Sequence, residues 1–137
     1  MPDAFHFAFF VSDLDATRRF YRDILGCAEG RSTEHWVDFD FFGNQISCHL
    51  GTVPEPDWCG KVDGIAVPMP HFGAVLPSEV FDAVAARIRD AGHTFVIEPT
   101  VRYAGQPGEQ STMFLLDPSG NALEFKSFRH AAEIFAA

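Results

Sequence analysis

Residues 5–11 form a short apolar run closed by Ser12-Asp13, a pattern that predicts a buried strand. Leu14, Thr17, Phe20, Tyr21, Ile24 and Leu25 follow at helical spacing. They predict a helix capped by Ser12 or Asp13 and stopped by Gly26. Residues 36–42 and 45–50 read as two strands around a tight turn at Gly43-Asn44. The order then returns. Residues 71–76 read as a strand, and Pro77-Ser78 opens a helix with Glu79 in its first turn. Val80, Phe81, Val84, Ala85 and Ile88 mark its buried face, and Gly92 stops it. Residues 94–98, 110–116 and 121–127 read as strands, the last two joined by the turn cluster Asp117-Pro118-Ser119-Gly120. Residues 102–109 read as a loop and 130–137 as a short terminal helix.

The chain therefore says the same thing twice. His6 and His71 head equivalent strands, and Gly43-Asn44 and Gly120-Asn121 precede equivalent ones. A repeat this long implies two copies of one supersecondary unit. The expected fold class is α+β: two βαβββ modules pairing into a curved mixed-sheet barrel around a metal cleft, with helices outside. Residues 1–137 would form a single domain, with module one at 5–50, module two at 71–127 and a helical tail at 128–137. Residues 51–70 hold Pro54, Pro56, Pro68 and Pro70 with no clear period, and read as a linker.

Candidate chemistry follows from the repeat. Glu124 sits among apolar neighbours in Ala122-Leu123-Glu124-Phe125. Either it is buried, where a cation would offset the cost of its charge, or alternation turns it to solvent opposite Leu123 and Phe125. A lone histidine in an apolar strand is usually a satisfied core residue. Two at the same point of a repeat are harder to read that way. Two imidazoles and one carboxylate leave coordination positions open and suit non-haem Fe(II), with Mn, Ni or Zn as alternatives.

Composition narrows the partners. Hydrophobic residues make up 47% of the 137 and aromatics 14%, with 15 phenylalanines, enough to build a core and line a pocket. A net charge of -9 argues against nucleic acid and anionic membrane as partners. Its simplest meaning is solubility. Cys27, Cys48 and Cys59 lie at no metal-like or redox-like spacing, which points to a reducing compartment. The acidic N-terminal stretch lacks the basic start of a signal peptide, and the apolar run 4–11 is too short to span a bilayer. The expected location is cytoplasmic.

His6, His71 and the ending Asp117-Pro118-Ser119-Gly120-Asn121-Ala122-Leu123-Glu124 together resemble the vicinal oxygen chelate superfamily of glyoxalase I, bleomycin-resistance proteins and extradiol dioxygenases. Residues 36–43, Pro70-His71-Phe72-Gly73 and Pro107-Gly108-Glu109-Gln110 are most similar to small dioxygenases of the extradiol type. The resemblance implies that His6, His71 and Glu124 bind the metal and that the protein is a homodimer. It implies a substrate class rather than a substrate: a catechol-like small molecule, cleaved at its ring with O2 by an Fe(II) dioxygenase. Two other readings stay open, a glyoxalase-type Ni or Zn isomerase or lyase, and a non-catalytic drug-binding module. A glyoxalase-like site often has a fourth ligand, and aligning the two turns puts Ser47 there, a poor ligand for a divalent metal. His49 shares the parity of Ser47, and reads as a fourth ligand, an acid/base, or a core or dimer contact. Tyr103 is a candidate proton donor, Arg102 a candidate holder of a substrate carboxylate, and Gln110 and Thr112 candidate pocket residues. For each of these a surface or loop role competes. His35, His93 and His130 read as surface, and Trp36, Phe39, Phe41 and Trp58 as core or aromatic wall.

Overall fold

The computed structural model describes residues 3–136, which fall into two compact units. The first comprises the chain up to Glu55 with the turn Asp117–Asn121. Its elements are β1 (His6–Val11), α1 (Leu14–Arg18) running into a π-helical segment (Arg19–Ile24), β2 (Glu29–Ser32), β3 (Trp36–Phe41) and β4 (Asn44–Leu50). The sheet order is β1-β4-β3-β2, with β1 parallel to β4 and the other pairs antiparallel. Asp13 caps α1: its Oδ1 accepts the Ala16 N–H at 2.9 Å. Gly26 ends the helical run at a φ of 80°, where a side chain would be strained. Thr17, Phe20, Tyr21 and Leu25 are buried, as their spacing predicts. The Tyr21 ring meets Phe20 edge-on at 4.8 Å and lies 5.5 Å from Phe39.

The Tyr21 hydroxyl donates to Asp117 Oδ2 at 2.8 Å in a buried setting. Asp117 also accepts from the backbone N–H groups of Ser119 and Asn121 and from the Asn121 side chain. Burial, then the Asp117 charge, pushes the Tyr21 phenol well above its ordinary range. Its contribution to stability is complete below the ordinary phenol pKa and is lost as pH rises toward the raised one. Tyr21→Phe should cost about 2 kcal/mol at neutral pH in urea unfolding, since the bond runs to an ionisable acceptor.

The second unit comprises Pro56–Leu116 and the chain from Ala122 onward. It holds β5 (Asp57–Val62), β6 (Ile65–Met69), β7 (His71–Val75), α2 (Ser78–Asp90), β8 (Phe95–Arg102), β9 (Gln110–Leu116), β10 (Ala122–Phe128) and a 3-10 turn (Ala131–Phe135). The main sheet has the order β7-β10-β9-β8, with β7 parallel to β10. Phe81, Val84, Ala85 and Ile88 of α2 are buried, while Val80 is only partly so.

Several expectations are corrected. Residues 57–69 are a two-stranded hairpin, not a featureless link. Asp63-Gly64 makes its turn with φ of 49° and 81°. Pro68 is tolerated because a two-stranded ribbon is all edge. Val62 and Val67 bury their side chains against Ile97, Phe114 and Ala122. The turn expected at Gly43-Asn44 falls one residue earlier, on Phe42-Gly43 with φ of 53° and 88°. β2, whose residues Glu29–Ser32 show no apolar alternation, was not foreseen. β8 runs on to Arg102, which ends a strand rather than opening a loop. The terminal helix is the short 3-10 turn, and Ala137 lies outside the described residues. The α+β class with mixed sheets is as expected, and among the described residues the strands form three hydrogen-bonded sheets that close no barrel. Among the described residues no helix is long and apolar enough to cross a membrane, and Cys27, Cys48 and Cys59 form no disulfide.

Candidate metal centre

β10 is an inner strand, paired with β7 on one side and β9 on the other. Leu123 and Phe125 face one way and are fully buried. Glu124 faces the other way and is 9% exposed, so it is not the solvent-facing residue that alternation allowed. Gly73 of β7 pairs with Glu124. A Cβ on Gly73 would lie 1.5 Å from the Glu124 carbonyl oxygen, so only glycine lets the two strands approach here.

His71 heads β7, with its ring edge-on to Phe114 at 4.7 Å. Its Nδ1 lies 3.0 Å from the Pro68 carbonyl oxygen, which can only accept. Nδ1 therefore carries a proton, and in the neutral ring Nε2 is left with a lone pair. That Nε2 is 3.4 Å from Glu124 Oε1. Glu124 Oε2 is engaged separately, accepting from the Thr112 hydroxyl at 2.6 Å. An imidazole lone pair facing a carboxylate oxygen is repulsive unless His71 takes a second proton or a cation lies between them. Imidazole nitrogen and carboxylate oxygen are both divalent-metal donors, so the pair suits an ion pair or a metal equally. The two groups open onto a pocket of about 220 Å³ lined also by Phe72, Gly73, Val75 and Lys126. Lys126 was not anticipated, although it shares the strand parity of Glu124 two residues earlier.

In the first unit, His6 heads β1 opposite Gln45. Its Nδ1 lies 2.8 Å from Gln45 Oε1, and Gln45 Nε2 donates to Asp38 Oδ2 at 3.3 Å. His49 Nε2 lies 3.0 Å from Ser47 Oγ, and the His49 ring stacks on Trp36 at 6.1 Å. The registers place His6, Gln45, Ser47 and His49 on one face of this sheet, beside Asp38 and Trp36. Among the described residues no group of three or more His, Cys, Asp or Glu side chains gathers as a metal site. The residues brought together are His71 and Glu124.

Of the weaker candidates Thr112 reaches this pair, and Arg102, Tyr103 and Gln110 are engaged elsewhere. Thr112 is fully buried and bonded to Glu124. Arg102 Nε is 3.4 Å from Asp63, and its Nη2 donates to the Tyr103 hydroxyl at 3.2 Å. Its guanidinium lies over the Tyr103 ring at 4.9 Å, so the pair expected to serve a substrate is engaged with itself and the β5–β6 turn. Gln110 donates to the Gly108 carbonyl at 3.2 Å and lines a second pocket with Ser78, Glu109 and Arg129. His35 and His130 are exposed, but His93 is partly buried and donates from Nε2 to the Leu116 carbonyl at 2.7 Å. Phe39 and Phe41 are core, whereas Trp58 is 45% exposed.

Comparison with known proteins gives concordant matches. The family model described as the Glyoxalase/Bleomycin resistance protein/Dioxygenase superfamily matches residues 4–125. A crystal structure described as a glyoxalase/bleomycin resistance protein/dioxygenase from Alicyclobacillus acidocaldarius shares 33% identity, covers 96% of both chains and superposes with a TM-score of 0.80. Virulence protein STM3117 of Salmonella typhimurium is 26% identical over 124 residues, 90% of this chain and 82% of that protein. The fosfomycin resistance protein FosX of Listeria monocytogenes shares the fold at a TM-score of 0.71, with 20% identity over 97% of this chain and 98% of that one.

Proposed function

Because the chain belongs to the glyoxalase/bleomycin resistance protein/dioxygenase superfamily, we propose that it is a divalent-metal enzyme, with Fe(II) held by His6, His71 and Glu124, that cleaves the ring of a catechol-like small molecule with O2. The observation that carries this reading is the facing pair in the second unit: His71 Nε2 and a Glu124 carboxylate oxygen 3.4 Å apart. Each group's other polar atom is already satisfied. Bound there, Fe(II) supplies Lewis acidity toward two adjacent substrate hydroxyls and one-electron chemistry toward O2.

The chain's own residues do the rest. Pro68 fixes the tautomer of His71, and Gln45 holds His6 by Nδ1, which leaves the His6 Nε2 for the third bond. His49 shares the His6 face and takes the proton of a substrate hydroxyl at Nε2, where Ser47 now holds it. Lys126 lines the pocket and places positive charge toward an ionised substrate oxygen. The protein works as a homodimer. The outer strands β1 and β7 carry Phe10 and Val75 at 48% and 47% exposure, apolar edges that a second copy would cover. Three cysteines outside any disulfide suit a reducing cytoplasm.

Iron-loaded protein should consume O2 with a catechol and form a ring-opened product. His49→Ala should slow turnover by about 100-fold or more with iron content unchanged. Turnover without O2 on Ni- or Zn-loaded protein would instead favour the glyoxalase-type isomerase or lyase. Ligand binding that survives loss of His6, His71 and Glu124 would favour a non-catalytic module.

A further inference from the structure

We infer that Thr112 is a positioning residue of the metal centre: its hydroxyl holds Oε2 of Glu124 so that the carboxylate presents Oε1 alone beside Nε2 of His71. This rests on the reading that His71 and Glu124 bind a metal. The geometry is specific. The Thr112 Oγ1 to Glu124 Oε2 distance is 2.6 Å, at the short end for a hydroxyl and a carboxylate. Thr112 is fully buried, so water does not compete for its single proton. Its β-branched side chain has few χ1 options, which aims the donor in a fixed direction.

A glutamate's terminal torsion is broad and roughly two-fold, so an unrestrained carboxylate would sample one- and two-oxygen coordination. Pinning Oε2 removes that freedom. A single carboxylate oxygen would leave more positions on a bound metal open to substrate. Thr112 and Lys126 are register partners on β9 and β10, so the hydroxyl reaches Glu124 diagonally across the ladder.

Threonine separates two roles cleanly. Thr112→Val keeps the shape and deletes the donor, and Thr112→Ser keeps the donor and deletes a methyl group. The full-length wild type and both variants are titrated with Co(II) under nitrogen, with circular dichroism confirming the fold. The expected result is a loss of Co(II) affinity in Thr112→Val of about 10- to 100-fold. Its visible absorption should also change as Oε2 joins the coordination sphere. Thr112→Ser should match wild type in both. Thr112→Ala, which adds no bulk, replaces the valine variant if that one does not fold. Wild-type affinity in Thr112→Val would overturn the inference while leaving the metal reading intact. Equal damage in Thr112→Ser would assign the residue to packing and overturn it as well. Failure of the wild type to bind Co(II) would overturn both the inference and the metal reading beneath it.

Discussion

Glu124→Gln is expected to bind Fe(II) at least about 100-fold more weakly than wild type, since losing even an outer-shell partner of a ligand costs about 10- to 100-fold. The glutamine keeps the length of the side chain and can still accept the Thr112 hydroxyl, so the fold should be spared. What disappears is the charge that makes a cation favourable beside the His71 Nε2. Equilibrium dialysis against iron under nitrogen measures the affinity. Thermal melting of the metal-free proteins checks that the variant remains folded. Unchanged iron affinity in a folded variant would remove Glu124 from the ligand set.

Gly73→Ala should be the most disruptive single substitution in the second unit. The added Cβ would meet the Glu124 carbonyl oxygen at 1.5 Å and its carbonyl carbon at 2.6 Å. Both are backbone atoms of the paired strand, so no side-chain rotation relieves the clash. β7 must move off β10, which separates His71 from Glu124 as it breaks the ladder. Overpacking of this kind costs about 3 kcal/mol or more. Urea unfolding should show the loss, and metal affinity should fall with it. A variant with wild-type stability would contradict the close packing of β7 on β10.

The parts legible in sequence are those set by strong local patterns. The stripe from Thr17 to Leu25 and the Asp13 cap specify the first helix without help from the rest of the chain. His71 begins β7 directly after Pro70, and His6 begins β1 one residue into the apolar run 5–11. Other features depend on pairing. Alternation left Glu124 two possible faces, and only its place on an inner strand, covered on both sides, explains its burial. The Thr112–Glu124 bond joins neighbouring strands diagonally, so it needs the register of β9 on β10. Arg102 looked available for a carboxylate because Asp63 is remote in sequence, yet the β5–β6 turn brings the two within 3.4 Å. That hairpin was itself hidden by four prolines, three of which lie outside its strands. The place of Lys126 on the Glu124 face follows from strand parity alone.

The most direct test of the account is elemental analysis of protein purified without oxygen. The expected result is about one iron per chain, the occupancy of a two-histidine, one-carboxylate site. Nickel or zinc in its place would keep the site but move the chemistry to an isomerase or lyase. No divalent metal above background, even after iron is offered, would contradict the claim that His6, His71 and Glu124 form a metal centre.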